Sequence, residues 1–164
     1  MRELSVKVSA MLDASPEAVY ATIADYRQGH PAILPEKYLY DLQVEKGGYG
    51  AGTVIRFRSR ILGVEQSFHH QVSEPTPGKV LVEQDVEQPR VTTTFTVLPA
   101  EQGKKAHVEI ATMMAVSPGF KGLIERLLVP GALLPVYREE LRLLGAVAGQ
   151  RTTLSSGTAG NQPG

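Results

Sequence analysis

The segment that decides the fold is ASPEAVYATIADY, residues 14–26, which follows an alternating stretch and has the features of a helix start. Ser15 is suited to cap the helix, because its hydroxyl can accept a free backbone N–H of the first turn. Pro16 fits the first helical position, and the carboxylate of Glu17 complements the positive end of the helix dipole. Apolar residues then recur at helical spacing to about Tyr26, so the segment predicts a short helix.

The residues on either side of this helix predict a strand before it and a broken segment after it. From Glu3 to Leu12 apolar and polar residues alternate, which is the pattern of a half-buried strand. Residues 28–35 include Pro31 and Pro35, so we expect at most a short helical piece there. The chain therefore begins in the order strand, helix, short helical piece.

From residue 38 to residue 114 the pattern predicts six further strands joined by short turns. Alternation is clearest over residues 53–62, where Arg56, Arg58 and Arg60 share one face and mark it as the solvent side. Short connections between neighbouring strands predict an antiparallel meander. The predicted strands cover residues 38–46, 53–62, 64–73, 79–86, 90–98 and 106–114.

A long helix is predicted to follow, opening at Ser117 and Pro118 with the same capping pattern as the first helix. Pro130 removes one backbone donor, so we expect the helix to kink or split near Leu128. The helix carries a continuous apolar stripe, made of Phe120, Leu123, Leu127, Leu134, Tyr137, Leu141 and Leu144.

The C-terminal residues have a different composition from the rest of the chain. Residues 150–164 are rich in Ser, Thr and Gly and offer no apolar face to bury, so they predict a disordered tail. The expected organisation is one folded domain over residues 1–149 and a tail over residues 150–164.

These elements predict an α+β fold: a seven-stranded, curved antiparallel sheet wrapped around a long C-terminal helix, with two short helices after the first strand. The long helix must bury its stripe, and one face of the sheet is the only large apolar surface available. A twisted sheet and a single rod do not fill space completely, so we expect a hollow between them.

Segment 14–26, the proline-bearing segment after it, the strand series and the helix from Ser117 to Leu144 together resemble the START-related helix-grip superfamily, also called SRPBCC. Within that superfamily the chain is most similar to the polyketide cyclase/dehydrase and lipid-transport group, over about residues 2–148. The resemblance implies a helix-grip fold and a hydrophobic cavity between the sheet and the long helix. It also implies that such a cavity receives lipids, polyketides or similar molecules.

Composition narrows the classes of function. The 164 residues include 17 Lys+Arg and 17 Asp+Glu, so the chain lacks the basic excess typical of a non-specific nucleic-acid binder. The absence of cysteine excludes disulfides, thiol nucleophiles and thiolate metal sites. There is no run of 18 apolar residues and no signal-peptide pattern, so we expect a cytoplasmic protein without a transmembrane segment.

His70 is the best candidate for chemistry in the sequence. Neighbouring strand residues face opposite ways, so His69 and His70 cannot ligate one metal together. His70 shares its predicted face with Phe68 and Val72, and a histidine on an apolar wall can orient a ligand or act as a general base. The alternative is a core histidine bonded to a neighbour. Tyr137, whose hydroxyl needs a partner when buried, is the second residue expected to orient a ligand.

The residues expected to line the cavity come from the strand faces predicted to point inward and from the helical stripe. Most of them would stabilise a ligand by apolar burial, at about 25 cal/mol per Å² removed from water. They are Phe57, Phe68, His70, Val82, Phe95, Met114, Leu127, Leu134 and Tyr137. The four histidines are scattered and the carboxylates form no local cluster, so the sequence indicates no metal site and no cofactor.

Three functions remain open at this point. The first is the binding or transport of a small hydrophobic ligand, lipid- or polyketide-like, between the sheet and the C-terminal helix. The second is a polyketide cyclase, aromatase or dehydratase that uses His70. The third is a protein-interaction module that takes a partner segment in a groove or at a sheet edge. The oligomeric state is open as well, a homodimer included.

Overall fold

The computed structural model describes residues 2–158, which form seven strands, three α-helices and a short 3₁₀ turn. The predicted succession of elements is confirmed. In chain order the elements are β1 (Glu3–Leu12), α1 (Pro16–Ala24), α2 (Gly29–Ile33), β2 (Leu39–Lys46), β3 (Val54–Ile61), β4 (Val64–Thr76), β5 (Val80–Asp85), β6 (Val91–Ala100), the 3₁₀ turn (Glu101–Gly103), β7 (Lys105–Ala115) and α3 (Gly119–Thr158).

The seven strands form one antiparallel sheet in the order β1-β7-β6-β5-β4-β3-β2. The predicted meander runs from β2 to β7, and β1 joins it at the β7 edge with Val6 opposite Thr112. Alternate residues of the strands are buried or partly buried over most of the sheet, and the sheet face that carries them is called the inner face below. Its buried members include Val6, Ile55, His70, Val72, Leu81, Glu83, Phe95, Val97, Val108, Ile110 and Thr112.

Helix α1 begins as its sequence predicts. The Ser15 hydroxyl accepts the backbone N–H of Ala18 at 3.2 Å, and Pro16 occupies the first turn together with Glu17. Val19 and Ile23 of α1 are fully buried against the rest of the core. The capping residues thus set where α1 begins, and the apolar spacing sets which side of α1 faces the core.

Helix α3 packs against β1, α1 and α2 and covers part of the inner face. It runs through Pro130 and Pro135 as one helix, so of the predicted kink or split near Leu128 the split did not occur. A proline removes one hydrogen bond of the helix ladder, and the turns on either side hold the element together. The buried side chains of α3 all follow Pro130: Leu133, Val136, Tyr137, Glu140, Leu141, Leu144 and Ala148.

The prediction of a disordered tail from residue 150 is wrong over residues 150–158, which continue α3. Polar contacts hold this last part of the helix, because Arg151 Nη2 lies 3.0 Å from Asp25 Oδ2 and Thr152 Oγ1 accepts the backbone N–H of Ser15. A sequence rule that looks for an apolar face misses such anchoring. Residues 159–164 of the predicted tail lie outside the described residues.

Within residues 2–158, no helix combines the length and the apolar character needed to cross a lipid bilayer.

Candidate functional site

His70 lies on the inner face of the sheet, as predicted from the alternation in β4. Its side chain is 2% exposed. The Phe57 and Phe68 rings stack on each other with centroids 4.9 Å apart, and both meet the His70 ring edge-on, at 5.1 and 5.5 Å. The pairing of β3 with β4 places Phe57 directly opposite Phe68, so the three rings form one cluster, called the aromatic corner below.

The His70 imidazole lies between two carboxylates of β5. Its Nε2 is 3.3 Å from Oδ1 of Asp85, and its Nδ1 is 3.9 Å from Oε2 of Glu83. Both ring nitrogens are buried, and neither makes a hydrogen bond of good geometry with any described residue. Buried polar groups are normally bonded, so this ring is an exception that calls for a functional explanation.

Glu83 is the centre of this arrangement. Tyr26 donates a 2.5 Å hydrogen bond to Glu83 Oε1, and Nε2 of His30 lies 3.4 Å from the same oxygen. The other ring nitrogen of His30, Nδ1, donates to the carbonyl of Ile23 at 2.7 Å, since a carbonyl can only accept.

Burial raises the pKa of Glu83. His30, His70 and the Tyr26 hydroxyl together lower this pKa by more than burial raises it, so the net pKa lies below its ordinary value. Glu83 is therefore an anion at neutral pH. Burial and the adjacent charge of Glu83 raise the pKa of Tyr26 well above its ordinary value, so this phenol keeps its proton and donates it.

Glu140 of α3 is the second carboxyl group buried near Glu83. It is 2% exposed, and burial together with the charge of Glu83 raises its pKa to about 8. At pH 7 it is mostly a neutral acid. Two carboxyl groups whose surroundings push their pKa values apart can serve as base and acid in one site. We call Tyr26, His30, His70, Glu83, Asp85 and Glu140 the acid–base cluster.

A second polar chain crosses the inner face beside this cluster. The Tyr137 and Thr112 hydroxyls are 2.5 Å apart, and the Thr112 and Thr93 hydroxyls are 2.9 Å apart. Burial raises the pKa of Tyr137, so its hydroxyl stays protonated. The Tyr137 hydroxyl thus has in Thr112 the polar partner that a buried tyrosine needs.

The structure brings together most of the residues predicted to line a cavity. Phe57, Phe68, His70, Phe95 and Tyr137 all belong to the inner face or to the side of α3 turned towards it. Met114 and Leu134 are partly buried against the same core. Of the nine residues, seven therefore lie in or beside one apolar region.

Val82 and Leu127 lie elsewhere. The predicted inward face of β5 is reversed, because Leu81 and Glu83 are buried and Val82, between them, points to the opposite side of the sheet. Leu127 is 72% exposed, since the apolar side of the first turns of α3 is not covered by any described element. Neither residue lines the inner face.

The sequence analysis missed Tyr26, His30, Glu83, Asp85 and Glu140. The signal for Glu140 was its place three residues after Tyr137, on the buried side of the helix. The signal for Glu83 was hidden, because valines at alternate positions of β5 favoured the opposite face.

Two open grooves, of about 490 and 600 Å³, lie beside the segment between α2 and β2. Both are bordered by Pro31, Leu34, Glu36 and Lys37, and the larger one reaches Pro135 of α3. No member of the acid–base cluster and none of the nine predicted lining residues borders either groove, so the grooves are separate from the cluster. Among residues 2–158, no group of three or more His, Asp or Glu side chains has an arrangement suited to a metal ion.

The arginine row on the outer face of β3 is neutralised by paired carboxylates. Arg56 binds Glu45, while Arg58 and Arg60 both contact Glu65, at 2.6 and 3.3 Å. These pairs are exposed and contribute little to stability. The row is therefore a solvated strand face and offers no concentrated positive field to an anion.

Comparison with known proteins agrees with this fold. The sequence matches the family described as polyketide cyclase / dehydrase and lipid transport over residues 3–149. The solution structure of KanY protein has 28% sequence identity and a TM-score of 0.76, and the alignment covers 90% of this chain and 99% of KanY. No functionally curated protein matches the sequence at a significant level.

More distant solved structures share the fold alone. A ZhuI aromatase/cyclase from Streptomyces sp. R1128 is 13% identical with a TM-score of 0.74, over 92% of this chain and 96% of that protein. A START superfamily protein from Mycobacterium smegmatis is 15% identical with a TM-score of 0.62, over 92% and 97% of the two chains. With the family match over residues 3–149, the chain belongs to the family described as polyketide cyclase / dehydrase and lipid transport, and its fold is the one that these solved structures share.

Proposed function

We propose that the protein binds a small hydrophobic carbonyl compound between the sheet and α3 and removes water from it by acid–base catalysis. This is a dehydratase or cyclase reaction of the polyketide type. The observation that carries the proposal is His70, a buried imidazole between Glu83 and Asp85 whose two nitrogens lack hydrogen bonds to the described residues.

A passive lipid holder does not need this arrangement. Placing an ionised carboxylate in a protein interior costs several kcal/mol unless it is paired, and here a second carboxyl group lies near the first. An apolar lining would hold a lipid without that cost. Clusters of buried titratable groups with divergent pKa values are typical of acid–base sites, which favours catalysis.

The chemistry assigns a role to each group. His70 removes a proton from the carbon next to the ligand carbonyl, and Glu140 gives its proton to the departing hydroxyl group, which leaves as water. A carbon–carbon double bond forms where the carbon–hydrogen and carbon–oxygen bonds break. Glu83 stabilises the imidazolium that His70 becomes.

Substrate access requires the aromatic corner to move. His70 is shielded by Phe57 and Phe68, which are themselves only partly buried, so displacement of their rings would open a path to the imidazole. A flat apolar ligand could then take over the ring contacts that the two phenylalanines make with His70.

The test uses a β-hydroxytetralone, whose dehydration yields a fluorescent naphthol. We expect the wild-type protein to form naphthol, and His70→Gln to lose on the order of 10²–10⁴ in rate. His69→Gln is the matched control, because His69 points to the outer face and contacts Glu45 at 2.7 Å. Equal rates in the three proteins would refute the catalytic role of His70.

A second candidate function is the holding of a hydrophobic ligand without chemistry. One observation favours it: exposed apolar residues gather at one end of the sheet, where the β3–β4 hairpin, the β5–β6 turn and the start of α3 meet. We call this surface the apolar rim, formed by Leu62, Val64, Val86, Phe120, Leu123, Ile124, Leu127 and Leu128. Exposed apolar side chains at one end of a fold are typical of an entrance for an apolar molecule or of an interaction site.

Native mass spectrometry separates the two candidates. A protein that retains a fatty acid or a tetralone but forms no naphthol is a holder. In that case Leu127→Glu, at the exposed rim, should slow ligand uptake without changing the free energy of unfolding. A protein that neither retains these probes nor converts the tetralone contradicts both functions.

A further inference from the structure

The pair His70 and Asp85 carries an inference that rests on the proposed function and deepens it. We propose that Asp85 is a positioning residue, which holds the His70 ring with its proton on Nε2 and so makes Nδ1 the atom that accepts a proton from the ligand.

The two carboxylates lie at different distances from the His70 ring. A neutral imidazole carries one N–H, and that hydrogen is most stable towards the nearer acceptor. Asp85 Oδ1 lies 3.3 Å from Nε2, within hydrogen-bonding distance although the N–H is poorly aligned with it, whereas Glu83 Oε2 lies 3.9 Å from Nδ1 and is out of reach.

Asp85 is itself fixed in place by a hydrogen bond from the backbone. Its Oδ2 accepts the backbone N–H of Val91 at 2.9 Å across the turn between β5 and β6. Asp85 also stands directly opposite His70 in the pairing of β4 with β5. One carboxylate oxygen is thus used by the turn, and the other remains directed at the imidazole.

The position of Glu83 also suits the imidazolium that His70 becomes after the proton transfer. Glu83 Oε1 is engaged by Tyr26 and His30, while its Oε2 faces Nδ1 of His70. An anion beside an unprotonated nitrogen favours the uptake of a proton there, because the resulting imidazolium is paired on both sides. The proton that leaves the ligand carbon therefore ends on Nδ1, between the ring and Glu83.

The aromatic corner preserves this orientation. The Phe57 and Phe68 rings meet the imidazole edge-on from β3 and β4, and a rotation that exchanged the two nitrogens would have to pass these contacts. Asp85 is 21% exposed, so it is the one member of this trio of His70, Glu83 and Asp85 that solvent reaches.

The experiment reads the tautomer directly. Two-bond proton–nitrogen correlation spectra of ¹⁵N-labelled protein distinguish Nε2–H from Nδ1–H rings, and the loss of signals in His70→Gln assigns His70. We expect wild-type His70 to be the Nε2–H tautomer. In Asp85→Asn the amide oxygen would take the Val91 N–H, the amide NH₂ would face Nε2, and the ring proton would move to Nδ1.

The control is the equivalent pair on the outer face. His69 Nε2 lies 2.7 Å from Glu45 Oε2, so Glu45→Gln should change the His69 signals and leave those of His70 unchanged. With the tetralone as substrate, Asp85→Asn should lower kcat on the order of 100-fold and change KM little. The decrease in kcat should not exceed the decrease caused by His70→Gln, which removes the base itself.

Two results would overturn the inference: a wild-type His70 that carries its proton on Nδ1, or an Asp85→Asn spectrum in which His70 is unchanged. The wild-type spectrum alone decides if the variant does not fold. Failure of the proposed function looks different, because the expected tautomer would then be present in a protein that forms no naphthol.

Discussion

The phenol of Tyr26 donates a 2.5 Å hydrogen bond to Oε1 of Glu83 and so links the end of α1 to the middle of the sheet. Both side chains are buried, and 57 residues of chain separate them. The contact holds the segment between α1 and α2 against the sheet. It also helps to keep the Glu83 pKa below its ordinary value, so the same bond affects both stability and charge.

Replacing Tyr26 by Phe should destabilise the protein by on the order of 1.5–3 kcal/mol, because a buried carboxylate loses a donor. Urea unfolding at pH 7 measures the change. Tyr49→Phe is the control, since Tyr49 is 62% exposed and its substitution should cost no more than about 0.5 kcal/mol. A lowered folded pKa stabilises above the unfolded value, so the effect of Tyr26→Phe should shrink as pH falls through the folded pKa of Glu83.

Glu140 should make the protein less stable as pH rises. Its folded pKa of about 8 is above the unfolded value of 4.5, so between these two pH values the folded chain holds a proton that the unfolded chain has lost. Glu140→Gln removes this dependence. The variant should gain stability over wild type by on the order of 4 kcal/mol between pH 4.5 and pH 9.

The control for Glu140 is its neighbour Glu139, an exposed residue paired with Arg142 at 2.6 Å. Glu139→Gln should leave the slope of stability against pH above pH 5 unchanged. A Glu140→Gln curve parallel to the wild-type curve would show that Glu140 does not carry a buried proton.

The end of α3 should contribute measurably to stability. A chain that stops after Gly149 loses the contact of Arg151 with Asp25 and that of Thr152 with Ser15, and we expect a loss of about 1–2 kcal/mol from two partly exposed polar contacts. A chain that stops after Leu154 keeps both contacts and is the control. Equal melting temperatures for the two shortened chains would contradict this account.

The hydroxyls of Thr112 and Tyr137 should show energetic coupling. Thr112→Val takes from the buried Tyr137 hydroxyl its Thr112 partner, and Tyr137→Phe removes one of the two partners of the Thr112 hydroxyl, whereas the double variant removes both ends of the bond. We expect a coupling energy of about 0.5–3 kcal/mol in a double-mutant cycle followed by urea unfolding. Thr94→Val, on the opposite face of β6, should not couple with Tyr137→Phe.

The succession of elements could be predicted because it depends on local patterns. β1 is bounded by Glu3 and Leu12 as the alternation indicates, and α1 starts at the proline after its Ser15 cap. The second half of the helical stripe, from Leu134 to Leu144, was also correct, since it packs on the core. Its first half failed at Leu127, because periodicity states which side of a helix is apolar and not what covers it.

The acid–base cluster could not be predicted for a different reason. Sequence rules place charged residues outside, so they turned Val82 inward and Glu83 outward. Glu83 is buried only because Tyr26, His30 and His70 arrive from other parts of the chain. No local pattern contains that information.

The wide separation of these partners affects how the chain folds. The two short helices from the beginning of the chain bring Tyr26 and His30 to the Glu83 anion, so the sheet alone would lack these two contacts. Closure of those helices is thus coupled to the capture of one negative charge. Acid strong enough to protonate Glu83 would remove the electrostatic part of this coupling between the sheet and the helices that cover it.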